Sequence, residues 1–203
     1  MAKNTVQTQL GDAMIHAIKA FARKDIESVE YLKIGIFSHI DNLNLKNEVA
    51  ERMYGARWIY KMGLVVLAEN QELQAHIRAQ VMEYGSVCEG LLKDAISHGF
   101  SRNVLRGNQK NFFDKKQTKK IRWGGDKESG VTEKNLNWLL LVATEEAIID
   151  PQLSKNLNRL RYARNKVHPL NPGPIPYLGS CKLFFESIKA TCEATKLWKN
   201  ANP

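Results

Sequence analysis

No apolar run in this chain approaches the ~18 residues that a membrane-spanning helix needs. The longest are Leu64 to Ala68 and Trp138 to Ala143. The start, Met1-Ala2-Lys3-Asn4-Thr5-Val6-Gln7, lacks the apolar core of a secretory signal. Cysteine is scarce: Cys88, Cys181 and Cys192 make an odd count, with no CxxC pair. They read as reduced, mostly buried thiols of a cytoplasmic protein. The five histidines are scattered, without zinc-ligand spacing, so no metal and no cofactor is expected. Four of only six prolines fall between His168 and Pro176, which marks a stiff, non-helical connection. Acids are outnumbered 21 to 30 by lysine and arginine, giving a formal charge of +9. A polyanion is the first partner to consider.

Helical periodicity dominates the 203 residues, and no alternation long enough for a sheet appears. At 43% hydrophobic the chain is not globally disordered. A domain of this size buries roughly 70% of its unfolded surface and needs no disulfide or metal staple. The apolar spacing predicts helices over 5–23, 26–40 and 46–68, which together make an N-terminal helical extension of residues 1–68. A helical bundle follows over 69–199. Its strongest helix, 71–98, carries one stripe of Leu73, Ile77, Val81, Tyr84, Cys88, Leu91 and Ala95. A second stripe of Met82, Gly85, Leu92 and Ile96 lies beside the first. A span that wide predicts a helix packed on two sides. Glu89 falls inside the second stripe, so its carboxylate meets a cation or a cavity. A further helix covers 132–148, with Thr132 as its expected N-cap. Asp150-Pro151 opens the next, which reaches about Val167. The last spans 178–198, with Leu183 or Phe184, Ile188, Cys192, Thr195 and Trp198 facing inward.

The charge is concentrated. Between Ser101 and Lys127 there are nine basic residues against two acids, a net +7 of the chain's +9. Lys115, Lys116, Lys119, Lys120 and Arg122 form its centre, with Phe112, Phe113 and Trp123 interleaved. Basic side chains neutralise phosphates and aromatic faces stack on unpaired bases, so this insertion (residues 101–131) is a candidate RNA-binding segment. A solvated charge run is the plainer reading. The stretch has no amphipathic helical pattern, so no membrane-surface role is expected.

The helix before the prolines carries the candidate chemistry. At about 100° per residue, Leu153, Leu157, Leu160 and Val167 form its buried stripe. Arg164 falls inside that stripe, Arg161 and His168 at its edge, and Asn165 beside them. A buried arginine needs a carboxylate, an anionic ligand or a subunit interface. Glu89, Glu145 and Glu146 are the candidate acids. One outcome is purely structural: an Arg–Glu bridge, with the histidine capping a helix end. The other is catalytic. A histidine near pKa ~6.5 can move a proton at neutral pH. An arginine beside it holds a phosphate and stabilises charge growing on its oxygens. Those groups suffice to cleave RNA through its own 2′-OH, which DNA lacks.

These residues carry a resemblance. Leu157 to Pro169, with Leu-Arg-x-x-Arg-Asn-x-Val-His-Pro, and Val87-Cys-Glu-Gly-Leu-Leu resemble bacterial and phage HEPN (higher eukaryotes and prokaryotes nucleotide-binding) proteins. The family signature is an arginine, usually with a polar residue after it, then four to six residues and a histidine. Arg161 and His168 have six residues between them, whereas Arg164-Asn165 supplies the Arg-polar pair. Either arginine can fill the role. The resemblance covers about residues 70–198. It implies an all-α, four-helix up-and-down bundle and a metal-independent endoribonuclease, commonly active as a homodimer. Toxin–antitoxin and antiviral defence systems are its usual settings, with a cognate antitoxin or defence-complex partner to match. His168 would be the general acid/base, Arg161 or Arg164 the phosphate ligand, Asn165 an orienting amide, and Glu89 the acid that positions an arginine. Many HEPN domains are instead non-catalytic RNA-binding or assembly modules, and that remains the alternative expectation.

Overall fold

The computed structural model describes residues 5–105, 131, 134–167 and 178–203. The described residues are helical, with no strand among them. In chain order the helices are α1 (Thr5–Leu10), α2 (Asp12–Arg23), α3 (Val29–Tyr31), α4 (Leu43–Val65), α5 (Asn70–Ser101), α6 (Leu136–Glu145), α7 (Pro151–Asn165) and α8 (Leu178–Ala201). A π-helical turn over Leu32–Ile36 extends α3, closed by Phe37 N–H donating to the Leu32 carbonyl at 2.8 Å. No helix among the described residues is long and apolar enough to cross a membrane.

Helix α5 is the axis of the molecule. It packs against α4, α6, α7 and α8, which its two apolar stripes require. Ile77, Val81, Tyr84, Cys88, Leu91 and Ala95 are buried along the first, and Gly85, Leu92 and Ile96 along the second. Helix α4 contributes Val49, Ala50, Met53 and Ala56 to the same core. It comes close because Gly90 has no side chain: a Cβ there would lie 2.6 Å from Val49 Cγ1. Arg52 adds a polar tie, bridging Glu48 on its own helix at 2.9 Å and Glu83 of α5 at 3.2 Å. From α8, Phe184, Ile188, Cys192 and Thr195 face inward.

Local chemistry moves several expected boundaries. The helix expected over 5–23 is two, broken at Gly11, whose φ of 71° suits glycine. The faces expected to be apolar there are only partly covered: Leu10, Met14 and Phe21 stay exposed. Helix α6 starts at Leu136, where the Asn135 side chain accepts from Trp138 N–H. Thr132, the expected cap, lies outside the described residues. Helix α7 begins as expected, with Asp150 accepting from Leu153 N–H at 2.8 Å and Pro151 in the first turn. It ends at Asn165, short of Val167.

The segment after α3 holds a half-buried histidine. The His39 ring meets Thr195 Oγ1 through Nε2 at 3.0 Å. Burial, helped by the Lys199 ammonium, pushes its pKa down to about 4. The folded state therefore keeps this ring neutral while the unfolded chain takes a proton near ~6.5. Stability is complete above that value and is lost as pH falls from 6.5 toward 4. The expected loss is about 2 kcal/mol after discounting for the ring's partial exposure. Urea midpoints measured from pH 7 to 4.5 should fall for the wild type and fall less for His39→Gln; parallel curves would refute this.

Candidate functional site

Helices α5, α6 and α7 enclose a cleft of about 360 Å³, lined by Met82, Glu89, Asn135, Leu136, Asn137, Arg161, Arg164 and Asn165. Its rear wall follows from burial. Leu153, Leu157, Leu160 and Ala163 turn one face of α7 into the core, so the residues at the stripe's edge meet α5 and α6.

Arg164 is half-buried and pairs with Glu89, Nη1 to Oε1, at 2.9 Å. Of the three acids considered from the sequence, Glu89 is the partner. The arginine stem reaches it across Gly85, where an added Cβ would lie 2.7 Å from Arg164 Cδ. A larger residue at position 85 would displace that stem, so the glycine sets the path of the guanidinium. Among the acids set aside, Glu145 is exposed.

Arg161 is held differently. Its Nε donates to Asn158 Oδ1 at 3.1 Å, and its guanidinium carbon lies 4.3 Å from the Tyr162 ring centroid. No carboxylate pairs with it among the described residues. Among the described residues the lining thus carries one neutralised arginine and one without a carboxylate partner. Such a site can accept a single negative charge without a desolvated cation being left over.

Asn165, the last residue of α7, is exposed at the cleft edge. Asn135 and Asn137 face the cleft from the start of α6. Sequence reasoning missed both, because a cap and its neighbour show no periodic signal. Tyr162, also missed, is 58% exposed and backs Arg161 with its ring.

Five side chains were proposed for catalysis, and the structure brings four of them together: Glu89, Arg161, Arg164 and Asn165. His168 lies outside the described residues. So do Lys115, Lys116, Lys119, Lys120, Arg122 and Trp123 of the basic insertion. No group of three His, Cys, Asp or Glu side chains that could hold a metal occurs among the described residues. All three cysteines are buried and free. Burial pushes the Cys181 thiol up to about 11 and Cys192 to about 12, and raises Cys88 as well. Thiols held that far from the thiolate form are poor nucleophiles. No family model matches the chain, and no curated protein or solved structure matches it either.

Proposed function

We propose that the chain is an endoribonuclease of HEPN type, with a HEPN-like four-helix bundle over its C-terminal two-thirds and RNA as substrate. The observation that carries this reading is the cleft in which uncompensated Arg161 and Glu89-bridged Arg164 meet, on the helix whose sequence leads directly to His168. Arg161 binds the scissile phosphate. Glu89 and Arg164 set the charge and shape of the cleft, and Asn165 orients the phosphate or the histidine. His168 takes the proton of the ribose 2′-OH as that oxygen attacks phosphorus. The bond to the 5′-oxygen breaks, leaving a 2′,3′-cyclic phosphate and a 5′-hydroxyl. Protonating the leaving oxygen needs a second acid. With one such motif per chain, a second copy paired by two-fold symmetry supplies it. The basic insertion holds the RNA strand. In keeping with what the resemblance implies, the proposed setting is a cytoplasmic toxin or antiviral defence system, with a cognate antitoxin or other defence protein as partner.

The test is RNA cleavage in the presence of a chelator. Fragments should end in cyclic phosphate, a 2′-deoxy substitution at the cut should block them, and His168→Ala should lower the rate at least ~10²-fold while the helical circular dichroism is retained. Equal cleavage by wild type and His168→Ala would refute the assignment.

The Arg164–Glu89 bridge is also what a purely structural arginine would make, and it favours one second reading, a non-catalytic RNA-binding module. That reading expects a salt-dependent RNA shift without products. Neutralising Lys115, Lys116, Lys119 and Lys120 would abolish the shift, and His168→Ala would leave it unchanged.

A further inference from the structure

A second cavity, formed by α4, α5 and α8, carries chemistry of its own. Its volume is about 410 Å³, and Arg57, Tyr60, Gln80, Tyr84, Lys182 and Phe185 are among its lining residues. That volume lies in the range of small-molecule sites.

Arg57 is the decisive residue. Its guanidinium carbon sits 4.4 Å from the Phe185 ring centroid and 5.3 Å from that of Tyr60. No carboxylate pairs with it among the described residues. Aromatic rings attract a cation across their faces. The ring faces accept none of the N–H groups, which lie in the guanidinium plane; the Tyr84 hydroxyl can take one of them. A half-buried arginine held this way is pre-oriented and keeps donors to spare. That rigid fork matches the paired oxygens of a carboxylate or phosphate.

The surroundings favour an anion on one side only. Lys182 and Glu186 are both exposed at this cavity and offset each other, and the Cys181 thiol is neutral, so Arg57 sets the lining's net charge. On its other side Arg57 borders a separate cavity of about 390 Å³, where Asp25 and Glu27 would repel an anion. The apolar wall of the first cavity is aromatic: Tyr84 is buried and lies 6.2 Å from Phe185 between ring centroids, the two rings tilted by 47°. Gln80, 2% exposed, adds one buried amide edge.

We propose that this cavity binds a small organic anion, a carboxylate or phosphate carried on a planar apolar body. Arg57 holds the oxygens while Phe185, Tyr60 and Tyr84 lie against the body. The site shares no residue with the α5–α6–α7 cleft, so it stands whether or not the chain cleaves RNA.

Phenyl phosphate, benzoate and inorganic phosphate test it by isothermal titration calorimetry on the full chain. At least one aromatic probe should bind saturably at one site per chain, with inorganic phosphate weaker than phenyl phosphate. Arg57→Gln should weaken that binding at least tenfold and Phe185→Leu severalfold. Should Arg57→Gln fail to fold, Arg57→Lys carries the test; it keeps the charge, loses the fork and should weaken binding at least fivefold. The two aromatic probes distinguish a phosphate ligand from a carboxylate one. Three results would overturn the proposal. Neither aromatic probe binds, the folded Arg57 variant binds as well as wild type, or Arg161→Gln rather than the Arg57 variant removes binding.

Discussion

Lys199→Met should destabilise the chain by about 3–5 kcal/mol, the cost of leaving a buried carboxylate without its cation. The lysine is on the last turns of α8 and is 5% exposed. Its ammonium has three donors and uses all of them: Asp94 Oδ2 at 2.8 Å, Asp41 Oδ2 at 2.7 Å and the His39 carbonyl at 2.7 Å. The two acids do not contribute equally. The Asp41 side chain is 72% exposed, and an exposed pair is worth at most ~1 kcal/mol. The Asp94 side chain is 6% exposed, and burial pushes its carboxyl up against the pull of Lys199. Without the ammonium, Asp94 keeps, among the described residues, only the Asp41 backbone N–H at 3.3 Å. At 2–4 °C per kcal/mol for a chain of this size, the thermal midpoint should fall by on the order of 10 °C. Adding Asp94→Asn to Lys199→Met removes the stranded charge and should recover at least half of the loss. Chemical denaturation of the four corners of that cycle gives the answer. A loss under 1 kcal/mol for Lys199→Met would show that the network is not a stabilising clasp.

That clasp could not be read from the sequence. Lys199 joins residues 105 and 158 positions away, and a lysine near a helix C-terminus reads as a solvated partner of the helix dipole. What the sequence does carry is periodic. The stripes of α5 recur every three or four residues, so its central place among α4, α6, α7 and α8 is legible. The proline at the start of α7 marks that end just as plainly. Gly11 is less legible, because a glycine inside an amphipathic pattern is ambiguous until its φ is known. At the cleft, Glu89 and Arg164 each stand out as charges in apolar stripes, but only tertiary packing selects Glu89 over Glu145 and Glu146. Gly85 gives no warning of its part, since what matters there is the absence of a side chain. Arg57 is invisible for a different reason: its rings come from α4 itself and from Phe185 on α8, far along the chain.

The same packing separates the two arginines that spacing alone leaves equivalent, and it makes Arg161→Gln the sharpest test of their roles. Among the charged residues lining the cleft, Arg161 and Arg164 are positive and Glu89 is negative. Glu89 is committed to Arg164 at 2.9 Å, so the unspent positive charge resides on Arg161. If the scissile phosphate binds there, Arg161→Gln removes the group that meets charge growing on the phosphate oxygens. Cleavage should then fall about 10²–10³-fold, as when one such donor is deleted elsewhere. Stability should change by no more than ~0.5 kcal/mol, because no ion pair among the described residues is broken. Arg164→Gln should behave differently. It strands the Glu89 carboxylate, costs about 1 kcal/mol of stability, and brings the lining to neutrality. Pairing it with Glu89→Gln restores the positive balance. If Arg164 acts only by cancelling Glu89 and holding the cleft's shape, the double variant should regain most of the cleavage rate lost by Arg164→Gln. If Arg164 touches the phosphate itself, the double variant stays as slow as the single one. Single-turnover rates measured with chelator present distinguish these outcomes, and an Arg161→Gln protein that cleaves at the wild-type rate would remove Arg161 from the chemistry.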